Sequence, residues 1–200
     1  MMGIQSSTDM ADDPIEIFRE LFERAGQACV EPDAMVLSTS DAGGRVSGRY
    51  VLLKTFDQRG FVFYTNLESR KARALVSNPN AALCFYWAPL EKQVRIEGTV
   101  EPVSDAEADA YFATRPRESQ IGAWASTQSA VMESPALLDQ RVGEARTRFD
   151  GGSVPRPPFW SGFRVVPMSI EFWTRDPARL HERVRYQRDG GQWTRTFLYP

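Results

Sequence analysis

The clearest candidate for chemistry is a basic turn, Ser69-Arg70-Lys71, which follows the strand-like run FVFYTN after two residues. A strand that ends in a short turn before a helix points free backbone N–H groups and the positive end of the helix dipole at that turn. Two cationic side chains beside those groups complete a site suited to a phosphate. The alternative is a solvated basic helix start, which the spacing alone favours because exposed Lys and Arg are the default.

Two further cations, Arg49 and Lys54, flank the apolar run YVLL. They could bring positive charge against a ligand in a cleft, but a strand with charged ends is the simpler explanation. The two residues are an odd number of positions apart, so a regular strand directs them to opposite faces. A ligand that contacts both therefore requires a bulge or an approach from the end of the strand.

A basic run near the carboxyl end, RLHERVR, contains the only histidine of the chain. If the run is extended, Arg179, His181, Arg183 and Arg185 share one face. Aligned like charges repel one another unless an anion lies opposite, and histidine is the side chain that ordinarily changes charge near neutral pH. A functional role and a strand paired with acids elsewhere are equally good explanations.

Hydroxyl, amide and basic side chains are also concentrated between Tyr111 and Ser129. Tyr111 and Arg115 are at helical i, i+4 spacing and therefore lie on one face of a predicted helix. Beyond Pro116 no clean period is visible, and such an irregular segment can turn several donors toward one bound oxyanion. The alternative is a surface helix followed by a loop.

The elements that must position these residues alternate as hairpins rather than as βαβ units. Strands are predicted at 34–40, 45–54, 61–65, 82–87, 93–100, 163–173, 181–187 and 193–199, and helices from Asp13-Pro14, at 69–77, from Ser104 to before Pro116 and at 134–149. This order favours a mainly β, α+β fold: an antiparallel sheet or barrel with flanking helices. We expect a flexible tail at 1–12 and a single domain at 13–200.

Composition excludes several classes of protein. The chain has 200 residues, 42% hydrophobic and 25% charged, which is typical of a globular protein. A net charge of −2 argues against a nucleic-acid binder, and no apolar run is long enough to span a membrane. The start of the chain lacks the features of a secretory signal, which predicts a cytoplasmic protein. One histidine and two scattered cysteines predict no metal site.

Taken together, the motifs resemble the pyridoxamine 5′-phosphate oxidase family over residues 13–200. The resemblance is carried by the strings RYVLLK, FVFYTNLESRKARAL, EKQVRIEGTVEPVS, YFATRPRESQIGAWASTQS, PPFWSGFRVVP, IEFW and RLHERVRYQ. It implies a homodimeric, FMN-binding split β-barrel that oxidises pyridoxamine or pyridoxine 5′-phosphate to pyridoxal 5′-phosphate, with O₂ as electron acceptor.

The resemblance also implies roles for individual residues. FMN would be held by Arg49, Val51, Leu52, Lys54, Tyr64, Thr65, Ser69, Arg70, Lys71, Gln93, Gln128, Ser129, Trp173 and Arg183. The substrate would be held by Lys54, Tyr111, Arg115, Ser119, Arg179 and His181, of which the last two would be catalytic. Because the family builds its site from two subunits, groups on one ligand need not share a strand face in one chain.

The sequence departs from the family pattern at two places. The acidic segment before the first helix lacks the basic Arg-Tyr motif that closes over the site in many members, and Tyr50 replaces a smaller aliphatic residue. Two alternatives therefore stay open: a phenazine-pathway type of FMN oxidase with another substrate, and a non-catalytic module that binds flavin, haem or pyridoxal phosphate.

Overall fold

The structure is a computed structural model that describes residues 13–200; the predicted tail at 1–12 lies outside the described residues. The helices are α1 (Pro14–Ala28), α2 (Arg70–Ser77), α3 (Asp105–Thr114), α4 (Arg117–Ala125) and α5 (Pro135–Arg148). The strands are β1 (Ala34–Ser40), β2 (Val46–Leu52), β3 (Thr55–Asp57), β4 (Gly60–Asn66), β5 (Asn80–Trp87), β6 (Lys92–Pro102), β7 (Trp160–Thr174), β8 (Glu182–Asp189) and β9 (Gln192–Phe197).

All strand pairs among the described residues are antiparallel, in the order β2-β1-β5-β6-β7-β4-β3, with β8 and β9 added beyond β7. The long strand β7 divides the sheet. Its first part, 160–165, pairs with β4, and its last part, 169–174, pairs with β8, while β6 follows it on the other side. The sheet therefore curls into a half-barrel, as the predicted split barrel requires.

A bulge at Gly98 allows β6 and β7 to bend together. The strand register shifts between Glu97 and Gly98, and a Cβ atom on Gly98 would collide with the carbonyl oxygen of Val166. Only glycine admits this close backbone approach, and a bulge increases the local twist of its strand.

The main core lies between the sheet and α1. Asp13 caps this helix by accepting a hydrogen bond from the backbone N–H of Ile15, and Pro14 occupies its first position. The buried Phe18 ring packs against Phe61 and Phe85, with ring centroids 4.9 and 5.2 Å away. This packing holds β4, the strand that also carries Tyr64 and Thr65, against α1.

A buried arginine anchors α3 against β7. The Arg164 side chain is 3% exposed, and its Nη2 donates to Glu107 at 2.7 Å. Glu107 also completes a capping box with Ser104 at the start of the helix. The helix that carries Tyr111 and leads into Arg115 is therefore held at its first turn.

Most predicted elements are confirmed, and three details are corrected. The strand predicted at 45–54 ends at Leu52, because the chain turns there into the short strand β3. The segment after Pro116, predicted to be irregular, forms helix α4 before its loop. The strand predicted at 181–187 begins at Glu182, and the positive φ of 68° at Arg179 shows that the basic run is not extended from its first residue.

Candidate active site

A cavity of about 800 Å³ opens between the ends of β2 and β4 and the helices α3 and α4. It brings together many of the residues predicted from the sequence: Arg49, Val51, Leu52, Lys54, Tyr64, Thr65, Lys71, Tyr111, Arg115, Ser119 and Gln128. Tyr50, the unusual residue of the RYVLLK string, lies at the rim with a 76% exposed side chain. Segments distant in sequence thus line one space, as the resemblance implies.

One part of the wall carries positive charge without a matching carboxylate. Lys71 is buried, and its Nζ donates to Thr65 Oγ1 at 3.0 Å. Arg49 donates to Leu37 O at 3.0 Å and to Thr39 Oγ1 at 2.9 Å. Within residues 13–200, no carboxylate lies in salt-bridge range of Arg49, Arg70 or Lys71.

The electrostatics of these cations fit a bound phosphate. Burial lowers the pKa of Lys71, and the nearby charge of Arg49 lowers it further. Burial and the charge of Arg70 lower the pKa of Arg49 in the same way. Partly buried like charges are unfavourable unless an anion compensates them. The residues present therefore fit the phosphate of FMN, the cofactor that the resemblance implies.

The turn before α2 has the predicted geometry. Ser69 is fully buried and caps the helix, accepting a hydrogen bond from Ala72 N at 3.3 Å. Arg70 lies at the first helical position and lines an adjoining groove rather than the main cavity. Arg49 lines both the groove and the cavity and so connects Arg70 with the cations of the main cavity.

A second group of donors comes from α3 and α4. The Arg115 guanidinium carbon lies 4.8 Å from the centre of the Trp160 ring, and its Nη1 is buried without a hydrogen-bond partner among the described residues. Burial lowers the pKa of Arg115. Tyr111 and Ser119 line the same part of the cavity. This donor set also fits an anion, and it belongs to elements other than those that carry Arg49 and Lys71.

Lys54 reaches the cavity because β2 ends at Leu52, two residues before it. The opposite faces that a regular strand would give Arg49 and Lys54 therefore do not apply, since strand alternation does not extend to Lys54. Its Nζ donates to Asp33 Oδ2 at 2.9 Å, a partner that the sequence did not reveal.

The loop after α4 supplies an amide to β4. Gln128 Oε1 accepts hydrogen bonds from Thr65 Oγ1 at 3.1 Å and from Asn66 N at 3.3 Å. Ser129 follows with a positive φ of 72° and lines a smaller cavity beside the loop instead of the main one.

The remaining predicted residues form a second group outside this cavity. Gln93, Trp173 and Arg183 are aligned in register across β6, β7 and β8. The His181 ring lies 4.5 Å from the Trp173 ring, and His181 Nδ1 accepts a hydrogen bond from Asp176 N at 3.1 Å. Arg179 lies in the same loop. Within a single chain, these five residues therefore lie outside the cavity.

The structure corrects the prediction that Arg179, His181, Arg183 and Arg185 share one strand face. Arg179 and His181 belong to the loop before β8. An acid partly neutralises the run, because Arg183 Nε donates to the buried Glu171 at 2.8 Å. This contact raises the pKa of Arg183.

Two family patterns match the chain over most of its length. The family described as pyridoxamine 5′-phosphate oxidase matches residues 21–149. The pyridoxine 5′-phosphate oxidase C-terminal dimerisation region matches residues 160–200. This chain belongs to the pyridoxamine 5′-phosphate oxidase family. The strands β7 to β9, with Trp173, His181 and Arg183, thus lie in the region through which members of this family form dimers.

Individual relatives agree with this assignment. The chain is 59% identical to the pyridoxine/pyridoxamine 5′-phosphate oxidase of Myxococcus xanthus (strain DK1622), over 94% of this chain and 92% of the relative. It is 56% identical to the protein of the same name from Rubrobacter xylanophilus, over 96% and 89%.

Solved structures support the same fold. The crystal structure of PhzG from Burkholderia lata 383 in complex with tetrahydrophenazine-1-carboxylic acid has a TM-score of 0.91 and 34% identity, covering 96% of this chain and 95% of that one. A pyridoxamine 5′-phosphate oxidase-related, FMN-binding protein from Nostoc punctiforme has a TM-score of 0.75 and 16% identity, covering 96% and 100%. No helix within residues 13–200 is long and apolar enough to cross a membrane.

The sequence does not predict two features of the cavity. Trp160 forms part of the cavity wall beneath Arg115, although only its PPFW string was noted. Asp33 pairs with Lys54 across the β1–β2 hairpin. Neither residue has a local pattern that marks it, because each partner is distant in sequence.

Proposed function

We propose that the chain is an FMN-dependent oxidase that converts pyridoxine or pyridoxamine 5′-phosphate to pyridoxal 5′-phosphate. The observation that carries the proposal is a single cavity lined by two sets of basic side chains that have no carboxylate partner among the described residues. Arg49 and Lys71 form the first set, and Arg115 forms the second. Two phosphates match these two sets, one from a flavin nucleotide and one from the substrate. The relatives at 51–59% identity carry the corresponding activity in their names.

The proposed division of labour follows the two sets. Arg49, Ser69, Arg70 and Lys71 hold the phosphate of FMN, and Val51, Leu52, Lys54, Tyr64, Thr65, Gln128 and Ser129 contact the rest of it. Tyr111, Arg115 and Ser119 hold the phosphate of the substrate, with Lys54 between the two ligands. Phosphate contacts of this kind convert binding energy into alignment of the reacting rings.

The second group is proposed to act on a cavity of the other subunit. Gln93, Trp173 and Arg183 complete the cofactor site, and Arg179 and His181 cover the substrate ring. The support is that these residues lie in or beside the dimerisation region while the cavity itself is formed elsewhere in the chain.

Bound FMN would supply the redox chemistry, a two-electron oxidation at the 4′ carbon of the substrate with O₂ as the final acceptor. The chain orients the 4′ substituent and stabilises charge that develops on it. His181 Nδ1 accepts a hydrogen bond from Asp176 N, so a neutral ring carries its proton on Nε2 and presents that N–H to the substrate. The guanidinium of Arg179 adds a fixed positive charge.

The proposed reaction balances for both substrates. The alcohol and O₂ give the aldehyde and H₂O₂. The amine, O₂ and one water give the aldehyde, H₂O₂ and ammonia, since the oxidised imine hydrolyses. O₂ is therefore consumed in equal amount to the aldehyde formed.

An absorbance experiment tests the proposal. Purified protein loaded with FMN is mixed anaerobically with pyridoxine 5′-phosphate and then exposed to air. We expect the flavin band to bleach and to return with air, with one H₂O₂ per pyridoxal 5′-phosphate. Stoichiometric flavin without bleaching by either phosphorylated substrate contradicts the proposal and favours a binding module.

The similarity to PhzG supports a second candidate, an oxidase of a reduced phenazine. The ligand named in that structure carries a carboxylate rather than a phosphate. The same experiment with dephosphorylated pyridoxine and with a dihydrophenazine carboxylic acid distinguishes the two. Bleaching by the phenazine and not by pyridoxine 5′-phosphate would establish the second candidate in place of the first.

A further inference from the structure

We propose that Trp160 is a positioning residue for the reaction: its ring aims Arg115 at the substrate phosphate while leaving the arginine's N–H donors free. This inference rests on the proposed function and assigns a determinant of phosphate recognition within it. Trp160 acts through Arg115, so it is distinct from the residues proposed to touch the phosphate.

The contacts of Arg115 are aromatic. Its guanidinium carbon lies 4.8 Å from the centre of the Trp160 ring and 5.5 Å from that of Phe112. No carboxylate among residues 13–200 pairs with it, and its Nη1 is buried without a hydrogen-bond partner. A ring face attracts a cation without occupying its donors, so an anion can still bind to all of them.

Two neighbouring arginines show the contrasting arrangement. Arg164 is bound by Glu107, and Arg156 donates to Asp105 and Asp109. Their donors are occupied by carboxylates, and these side chains anchor α3. Among these arginines around α3, only Arg115 both lines the cavity and keeps a buried donor unpaired.

The Trp160 ring is itself held firmly. It lies 5.3 Å from the Tyr64 ring with an interplanar angle of 2°, and the Phe112 ring meets it edge-on at 5.0 Å. Tyr64 can approach because position 162 is glycine; a Cβ there would lie 2.7 Å from the tyrosine ring. The backbone of Trp160 pairs with Asn66 in the β4–β7 ladder. A rigid ring fixes the guanidinium above it.

Substitutions that weaken only the ring face test the inference. Trp160→Phe keeps an aromatic ring, and Trp160→Leu removes it. We expect KM for pyridoxine 5′-phosphate and the Kd for pyridoxal 5′-phosphate to rise by about 3- to 30-fold, more for Leu than for Phe, because tryptophan binds a cation best. The kcat and the Kd for FMN should stay within about two-fold of wild type.

Trp124→Phe is the matched control. Trp124 packs in the same hydrophobic cluster and lies under Arg148, but it has no contact with Arg115. It loses the hydrogen bond from Nε1 to Pro155 O, so we expect a lower melting temperature with unchanged KM. A similar rise of KM in this control would show that the KM reports weaker packing of the whole hydrophobic cluster and not the orientation of the Arg115 guanidinium.

A double-mutant cycle with Arg115→Met decides whether Trp160 acts through the arginine. Once the guanidinium is removed, Trp160→Phe should raise the Kd for pyridoxal 5′-phosphate no further. An equal rise in both backgrounds, or wild-type values in Trp160→Phe and Trp160→Leu, overturns the inference. Failure of the wild-type protein to oxidise pyridoxine 5′-phosphate would instead overturn the proposed function, since the product titration does not depend on turnover.

Discussion

The surroundings of Lys71 indicate an anion-binding site. Its side chain is buried, its Nζ donates hydrogen bonds to the hydroxyl oxygens of Thr65 and Ser69, and Arg49 lies close enough to lower its pKa. A buried, charged lysine in such surroundings destabilises the apoprotein, and the charge becomes stabilising when a phosphate binds beside it. These contacts are the structural support for the proposal that Lys71 binds the phosphate of FMN.

Replacing Lys71 with methionine should therefore separate cofactor binding from folding. We expect Lys71→Met to raise the Kd for FMN by about 10- to 100-fold, the loss of one charge-assisted hydrogen bond. The apoprotein should be at least as stable as wild type, because an uncompensated charge is removed. Fluorescence titration with FMN and thermal melts measure both, with Arg24→Met as control, since Arg24 is exposed on α1 and does not line the cavity or its adjoining groove.

The same residue predicts a pH dependence of apoprotein stability. The folded-state pKa of Lys71 lies below its ordinary 10.5, so the folded state releases this proton before the unfolded state does. The free energy of unfolding therefore gains a contribution that grows as pH rises from that lowered pKa toward 10.5. Urea melts of wild type and Lys71→Met across this range should show the gain in wild type only; parallel curves contradict it.

Arg179 is predicted to matter for turnover and not for cofactor binding. Arg179→Met leaves the cavity cations intact and removes a charge proposed to stabilise the reacting 4′ group. We expect kcat to fall by about 100-fold or more, while the Kd for FMN changes little. Stopped-flow reduction of the flavin measures the first effect. A normal reduction rate would remove Arg179 from the catalytic residues.

At the scale of elements, α3 links the sheet to Arg115, the residue proposed to bind the substrate phosphate. Its first turn is fixed by the capping box of Ser104 and Glu107 and by Arg164, and its last turn leads to Arg115. Hydrogen bonds from Ser104, and then Arg164, lower the pKa of Glu107, so this carboxylate is ionised at neutral pH. Displacing the start of the helix should disturb the arginine at its end.

Glu107→Ala should lower the free energy of unfolding by about 1–2 kcal/mol, the usual cost of losing a helix cap. We also expect a higher KM for the phosphorylated substrate. Glu101→Ala is the matched control, since Glu101 is exposed and lies 3.7 Å from Arg164 without capping a helix. Chemical denaturation compares the two; equal losses would show that charge near Arg164, not the cap, stabilises α3.

Local signals explain which elements the sequence predicts. The capping box of α3 and the Asp13-Pro14 start of α1 identified both helices correctly. Helix α4 was missed because it begins after Pro116 without a side-chain cap, and Ile121 and Ala125 are its only buried residues. The ends of β2 and β8 depend on turns and a positive φ at Arg179, which tertiary contacts decide.

At the scale of the whole molecule, the predicted site residues divide into two groups. The sequence, through its family resemblance, identified both groups but could not show which residues share a space. The cavity set comes from β2 and the following Lys54, from β4, from Lys71 of α2 and from the segment 111–128. The second set comes from β6 to β8 and the loop before β8. The match of 160–200 to a dimerisation region provides the reason to join them across two subunits.

Subunit complementation tests this account most directly. Lys71→Met impairs the cavity set and Arg179→Met the second set, so each homodimer should be nearly inactive at limiting FMN. The two variants are unfolded, mixed in equal amounts and refolded together. About a quarter of wild-type activity should return, because half of the dimers then contain both variants and each mixed dimer has one intact site of two. Activity that stays at the level of the separate variants would place both residues in a site made by one chain and contradict the account.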